Sequence, residues 1–204
     1  MPRVEFLFDF GSPNAYLAHK LVPEIERRTA ATFEYVPVLL GGIFKATNNK
    51  PPMVAFGGVK NKMDYEMLEM RRFIAQHGLA KFQFNPSFPV NTLAIMRGAV
   101  AAQNLGVLAA YVEAVFAAMW EQGRKMDDSD VIRATLAEAR LDAEQLQAAA
   151  QAPEVKQALM NNTESAVSRG TFGIPTFFVD NEIYFGKDRL RDVEEQILRA
   201  KRGA

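Results

Sequence analysis

The sequence predicts an α/β fold in which a sheet is assembled from the two ends of the chain around a large all-helical insertion. Three observations carry this. The stretch VEFLFDFGSPNAYLAHKLVPEI, residues 4–25, reads as a strand, a tight turn and a helix opening at Ser12-Pro13, where proline suits a first helical turn. More than 160 residues later, GIPTFFVD (residues 173–180) leads a hydrophobic-Pro-Thr triplet into a second strand region. Between the two ends, six helical patterns follow one another from Met63 to Arg169. A polar residue at a strand-to-helix turn, matched far downstream by a hydrophobic-Pro-Thr strand, is the arrangement of a thioredoxin-like fold.

Residues 3–10 are rich in Val, Phe and Leu and predict a strand covered on both faces. A helix follows from Pro13 to about Arg28, with Tyr16, Leu17, Leu21, Val22 and Ile25 at helical spacing and a kink at Pro23. Thr32 to Leu40 predicts a second strand, which a right-handed crossover sets parallel to the first. Gly41 to Lys62 holds four glycines and two consecutive prolines and reads as a long connection of the functional kind. Helices are predicted over Met63–His77, Asn91–Asn104, Val107–Glu121, Ser129–Glu138, Ala143–Ala150 and Pro153–Arg169, with a capping box at Asp142 and Gln145. Strands return at Thr176–Val179 and Ile183–Phe185, joined by the turn Asp180-Asn181-Glu182. A last helix starts from Asp188, presents Leu190, Val193, Ile197 and Leu198 on one face, and frays at KRGA, residues 201–204. Residues 1–62 and 170–204 are thus expected to form a thioredoxin-like domain, and 63–169 the insertion.

Composition narrows the function classes. Lysine plus arginine balance aspartate plus glutamate at 24 each over 204 residues, so no net field favours nucleic acid or an anionic membrane. The opening MPRVEFLFDF lacks the apolar stretch of a signal peptide, and no run has the length of a bilayer span, so the expected address is the cytoplasm. There is no cysteine, so the chain cannot run disulfide exchange itself and any thiol chemistry uses a thiol brought from outside. Two histidines, His19 and His77, are too few for a histidine-rich metal centre, and no metal is expected. His19 is expected to be exposed.

Ser12 has two readings. It is a good helix N-cap. Its hydroxyl can also donate a hydrogen bond to an anion such as a bound thiolate and lower that thiol's pKa. A serine-hydrolase triad has no support, because neither histidine has the G-x-S-x-G context or a neighbouring carboxylate pattern. Pro175 either starts a strand or forms a cis bond with Ile174, which would present the Ile174 backbone to an extended peptide beside the sheet. Asp188 reads as the N-cap of the last helix or as the partner of a ligand ammonium group. Asn49 and Lys50 before Pro51-Pro52 form a solvated turn or a ligand contact, and Asn85-Pro86 reads as an ordinary turn before a helix. Tyr16, Trp120 and Tyr184 are read as packing groups.

Four blocks in order, DFGSPNAYLA, LLGGIFKATNNKPP, FGIPTFFVDNEIYFG and GKDRL, resemble the kappa-class glutathione transferases and the bacterial 2-hydroxychromene-2-carboxylate isomerases of the same superfamily. That family places a DsbA-like helical insertion in a thioredoxin-like domain. The resemblance implies that Ser12 stabilises the glutathione thiolate, that Asn49 contacts glutathione with Phe56 a weaker contact, and that Ile174 pairs with the cysteinyl backbone. It assigns Lys187 and Asp188 to the γ-glutamyl end, and Asn85 and Pro86 to the second substrate's pocket. It implies a glutathione-dependent cis-trans isomerase of 2-hydroxychromene-2-carboxylate or its ring-opened hydroxybenzylidenepyruvate in aromatic catabolism, acting as a homodimer by reversible thiolate addition. The alternatives are a kappa-type transferase or peroxidase and, further off, a non-catalytic thioredoxin-fold binding protein. An isomerase must also hold a carboxylate, for which Lys60, Lys62, Arg71 and Asn85 are candidates. Two departures bear on the site: Gly11 and Asn14-Ala15 replace bulkier or hydroxyl residues beside the serine, and Lys187 stands where serine or asparagine is usual.

Overall fold

In the computed structural model, which describes residues 1–202, strand β1 (Val4–Phe8) is buried at every position, Glu5 included, whose carboxylate is bonded by the Arg169 guanidinium. Strand β2 (Phe33–Pro37) pairs with it in parallel and β3 (Thr176–Val179) antiparallel, and β4 (Glu182–Phe185) forms the edge beyond β3, giving the order β2-β1-β3-β4. The register sets Phe6 opposite Phe177, and their rings stack at 5.0 Å between centroids. The β3–β4 turn is Asp180-Asn181, tighter than expected, because Asp180 takes a left-handed conformation (φ 54°) and β4 starts at Glu182.

Three expectations near the first strand are corrected. The single helix from Pro13 to Arg28 is two helices, α1 (Pro13–His19) and α2 (Val22–Thr29), broken before Pro23 and not bent at it. Pro23 sits in the first turn of α2, where its missing N–H has no partner to lose. The second strand ends at Pro37, and Leu40 opens helix α3 (Leu40–Thr47), because the buried Asp9 carboxylate accepts the Leu40 N–H at 2.8 Å and starts the turn. A short helix α4 (Pro52–Ala55) follows, so the expected long connection is partly helical.

Helices α5 (Lys62–Gln76), α6 (Leu93–Asn104), α7 (Leu108–Trp120), α8 (Ser129–Glu138), α9 (Ala143–Ala149) and α10 (Pro153–Ser168) follow the hydrophobic patterns to within one or two residues. Asp142 caps α9 by accepting the Gln145 N–H at 2.9 Å. One core spans sheet and helices: Phe10 meets Phe8 and Phe116 at 5.3 and 4.8 Å between ring centroids, and the Trp120 indole donates to the Phe10 carbonyl at 2.8 Å. Where α6 crosses α7, a Cβ on Gly98 would lie 2.0 Å from the Tyr111 hydroxyl, so only glycine fits.

The chain ends in a 3₁₀ turn (Lys187–Arg189) and helix α11 (Leu190–Arg202), which buries Val193 and Ile197 against the sheet side. Lys201 and Arg202 are helical, not frayed, and residues 203–204 lie outside the described residues. Among the described residues no helix is long and apolar enough to cross a membrane.

Candidate active site

The turn after β1 is built around Asp9. Its buried carboxylate accepts the N–H of Gly11 and of Leu40, each at 2.8 Å. Burial pushes this carboxyl up from its ordinary range, and the hydrogen bonds from Leu40, Gly11 and Thr92 pull against that push. A Cβ on Gly11 would meet Thr92 Cγ2 at 3.1 Å, so the turn lies directly against the segment that opens α6. Ser12 N–H then donates to the Asp9 carbonyl at 3.0 Å, which fixes the serine at the mouth of α1.

Ser12 fills the capping role read from its sequence, and its proton goes to a backbone acceptor of the protein. Its Oγ accepts the Ala15 N–H at 3.2 Å as an N-cap, and its hydroxyl donates to the Ile174 carbonyl, 162 residues away, at 3.0 Å. The serine is only 4 % exposed. The Ile174-Pro175 bond is cis, and so is Phe88-Pro89, which the sequence reading did not anticipate. Thus the cap uses the oxygen's lone pair and leaves the proton aimed at the backbone that precedes β3.

The 171–175 loop is clipped in place from both sides. Asn49 Nδ2 donates to the Phe172 carbonyl at 2.8 Å while its Oδ1 accepts the Lys50 N–H, and Thr176 Oγ1 donates to the Gly173 carbonyl at 2.7 Å. Asn49 is therefore gathered to the Ser12–Ile174 junction. The 3₁₀ turn packs on α1 and brings Lys187 and Asp188 to it. Asp188 stands inside that turn and caps nothing; its carboxylate is 70 % exposed and takes a 2.6 Å hydrogen bond from the Lys187 ammonium. The Lys187 ammonium itself is buried, 4.7 Å from the centre of the Phe73 ring.

Other predicted residues fall elsewhere. Phe56 ends α4 in a solvent-exposed stretch, its ring 5.4 Å from the Lys62 ammonium, with no bond to the Ser12 junction. Lys62 pairs with Glu66, and Lys60 and Arg71 are exposed. Asn85 is buried and committed to backbone: Nδ2 donates to the carbonyls of Met119 and Arg124 at 3.1 and 2.7 Å, and Oδ1 accepts the Ser87 N–H at 2.8 Å. It shapes its loop, with Pro86 exposed beside Gly123. That loop carries Phe88 to 5.8 Å from Trp120, and Phe82 stacks on the same indole at 6.0 Å, so aromatic faces flank the Phe10–Ser12 turn.

One cluster escaped the sequence reading. His19 is buried, not exposed: its Nδ1 meets the Tyr35 hydroxyl at 2.7 Å and its Nε2 the Glu113 carboxylate at 2.9 Å. Lys20 bridges Glu113 and Glu121, and Tyr16 donates to Glu121 at 3.0 Å. The hydrogen bond from His19, then those from Lys20, hold the Glu113 carboxyl down at about 2 against the opposing effect of burial. These contacts fasten the far end of α1 to α7. A tyrosine, a histidine and a lysine on one stripe at the end of α1 were the available signal, but their carboxylate partners lie more than 90 residues on.

The fold has close counterparts. A solved 2-hydroxychromene-2-carboxylate isomerase superimposes with a TM-score of 0.84 at 26 % identity, covering 98 % of this chain and 96 % of that one. The 2-hydroxychromene-2-carboxylate isomerase of Sphingobium xenophagum is 29 % identical over 195 residues, 96 % of this chain and 97 % of its own. Glutathione S-transferase kappa 1 of Homo sapiens is 27 % identical over 201 residues, 93 % and 88 % of the two chains. The family model of the DSBA-like thioredoxin domain matches residues 3–198, which with the β2-β1-β3-β4 sheet and the Ser12–Ile174 junction places the chain in the DSBA-like thioredoxin family.

Proposed function

We propose that this protein is a glutathione-dependent isomerase of 2-hydroxychromene-2-carboxylate or the ring-opened hydroxybenzylidenepyruvate. The observation that carries the reading is the 3.0 Å hydrogen bond from the Ser12 hydroxyl to the Ile174 carbonyl, in a chain without cysteine. The redox members of such a fold need a thiol of their own, whereas here the turn offers a proton donor and, beside it, a strand-like backbone. When bound, glutathione supplies a thiolate that adds reversibly to the conjugated carbon framework, so that the former double bond rotates and re-forms as the thiol leaves.

The chain's own residues fit such a group. Ser12 can turn its proton from the Ile174 carbonyl to sulfur while keeping the Ala15 N–H on its lone pair, and a donor aimed at sulfur favours the thiolate. The same turn frees the Ile174 carbonyl to accept a peptide N–H. Asn49 holds the loop bearing Ile174, and the exposed Asp188 carboxylate, steadied by the buried Lys187 ammonium, offers a negative charge to the ammonium group of the tripeptide; Lys187 itself stays assigned by resemblance. Phe88, partly exposed, offers an aromatic face to a planar second substrate and is backed by the buried Trp120. Phe56, Asn85 and Pro86 stay assigned by resemblance, Asn85 acting through the shape of its loop. Residues 63–169 are read as the insertion domain, the molecule as a homodimer and its address as the cytoplasm.

The test is spectrophotometric turnover of 2-hydroxychromene-2-carboxylate with and without glutathione, with free thiol titrated afterwards. Glutathione-dependent turnover without thiol loss is the expected result. Consumption of thiol against an electrophile, with no isomerisation, would favour the second reading, a kappa-type transferase or peroxidase, which the human relative supports.

A further inference from the structure

Asp9 is fully buried, and among the described residues no lysine, arginine or histidine pairs with its carboxylate. A buried charge without a counter-ion is costly unless hydrogen bonds replace its water. Here they do. Oδ1 accepts the Gly11 N–H, Oδ2 accepts the Leu40 N–H, and the Thr92 hydroxyl donates as well. Donors on both oxygens suit the ionised form, while burial works against it.

The three donors open three different segments. Gly11 immediately precedes Ser12, the N-cap of α1; Leu40 is the first residue of α3; Thr92 is the N-cap residue of α6. Neither Leu39, at the N-cap of α3, nor Thr92 caps its own helix with a side chain. Asp9 therefore caps α3 from 31 residues away. Helix α3 leads in turn to Asn49, whose N–H returns to the Phe44 carbonyl at 3.0 Å and whose amide holds the Phe172 carbonyl. One carboxylate thus ties the turn that bears Ser12 to the helix that leads to Asn49.

We infer that Asp9 is a positioning residue, which sets Ser12 through Gly11 and Asn49 through α3 and so fixes the spacing of the two side chains gathered at the Ile174 loop. This deepens the reading of the Ser12 junction as a thiol site and rests on it. Asp9 touches no ligand, because it is wholly covered. Its charge alone would work the other way, since a buried anion beside a thiolate raises the thiol's pKa. Its hydrogen bonds hold in place the donor that lowers that pKa. The amide isostere cannot take over. With an N–H facing each oxygen, an asparagine in either orientation turns its own NH₂ on one of them.

The experiment compares wild type with D9N, G11A and L40P by glutathione affinity from calorimetry, the pKa of the bound thiol from ultraviolet titration, and melting temperature. G11A and L40P each cut one arm and leave the charge in place. G11A sets a methyl 3.1 Å from Thr92 Cγ2 and 3.3 Å from Asp9 Oδ1, which displaces the turn, and the thiol pKa is expected to rise by about one unit. L40P removes the Leu40 N–H at a first helical position after an extended Leu39, where proline is tolerated. Glutathione affinity is then expected to fall about tenfold with the thiol pKa unmoved. D9N is expected to show one of these effects or both, according to which N–H its amide faces. G98A, strained at the α6–α7 crossing, is the control: it is expected to lose stability and move neither readout. Should D9N not fold, G11A and L40P carry the test. A lowered thiol pKa in D9N, with G11A and L40P like wild type, would overturn the inference and leave Asp9 acting by charge. Wild-type affinity and thiol pKa in every folded variant would overturn it as well, and so would equal shifts in G98A. In each of those cases wild type still binds glutathione; wild-type protein that binds none would overturn the thiol-site reading itself.

Discussion

The two ends of α1 are built on opposite rules. At its carboxyl end, Tyr16, His19 and Lys20 meet Tyr35, Glu113 and Glu121 in a network where each polar group has a partner in the protein. At its amino end, Ser12 spends its proton on a backbone carbonyl and Asn14 leaves an acceptor buried and unused. A matched network costs least when nothing is added, so it fixes position. A group whose partner can be exchanged, as the Ile174 carbonyl can be for Ser12, or that has none, as Asn14, gains most when something is added. The stretch from Ser12 to Lys20 thus holds a clamp at one end and the junction with Ile174 at the other.

The sharpest way to break this contrast is at Ser12. In S12A the helix loses its side-chain cap, worth about 1 kcal/mol, and the thiol loses its proton donor. If the serine acts on the bound thiolate, kcat/KM falls on the order of 100-fold, as for removal of one donor from a developing anion, and the pKa of bound glutathione rises. Ultraviolet titration of the bound thiolate separates the two effects. An unchanged thiol pKa would reduce Ser12 to a cap.

How much of this contrast could be read from the chain differs between the two ends. Ser12, Ile174 and Asn49 stood in recognisable blocks because turn chemistry is local: a proline in a first helical turn, another before a strand, an asparagine before two prolines. The clamp was invisible because its meaning is tertiary. A histidine near a helix end is exposed by default, and only the packing of α7 on α1 brings Glu113 to within 2.9 Å of it. The start of α3 failed for the same reason, since a carboxylate at Asp9 decides where Leu40 turns helical. Asn85 shows the converse: its segment was singled out correctly as part of a turn, but its amide is spent on the carbonyls of Met119 and Arg124.

A second test asks whether the scaffold can be strained without touching either end. G98A drives a methyl into the Tyr111 hydroxyl, which is itself held by the Ile95 carbonyl at 3.0 Å. Overpacking of this kind costs roughly 1–3 kcal/mol, read as a lower urea midpoint with an unchanged slope. Because none of the hydrogen bonds of Ser12 and Asn49 runs through Gly98 or Tyr111, glutathione affinity is expected to hold wherever the variant remains folded. A loss of affinity larger than the loss of stability would mean that the Ser12 end depends on the α6–α7 crossing.

The smallest expected effect tests the clamp itself. Glu113 is more than half exposed at its side chain, so its ion pairs are screened, and E113Q is expected to cost only about 1 kcal/mol. Its signature lies in the pH dependence. The Glu113 carboxyl titrates at about 2 in the folded protein, below its ordinary value near 4.5. The unfolded chain therefore binds the proton first, and the contribution of Glu113 is complete above about 4.5 and is lost as pH falls towards about 2. Wild type and E113Q should accordingly differ most near neutral pH and converge in acid, measured as urea midpoints across that range. Convergence with the thiol pKa unmoved would place Glu113 in the clamp alone. A shifted thiol pKa in E113Q would show that the two ends of α1 are coupled, and that the division between fixing and recognising is one of degree.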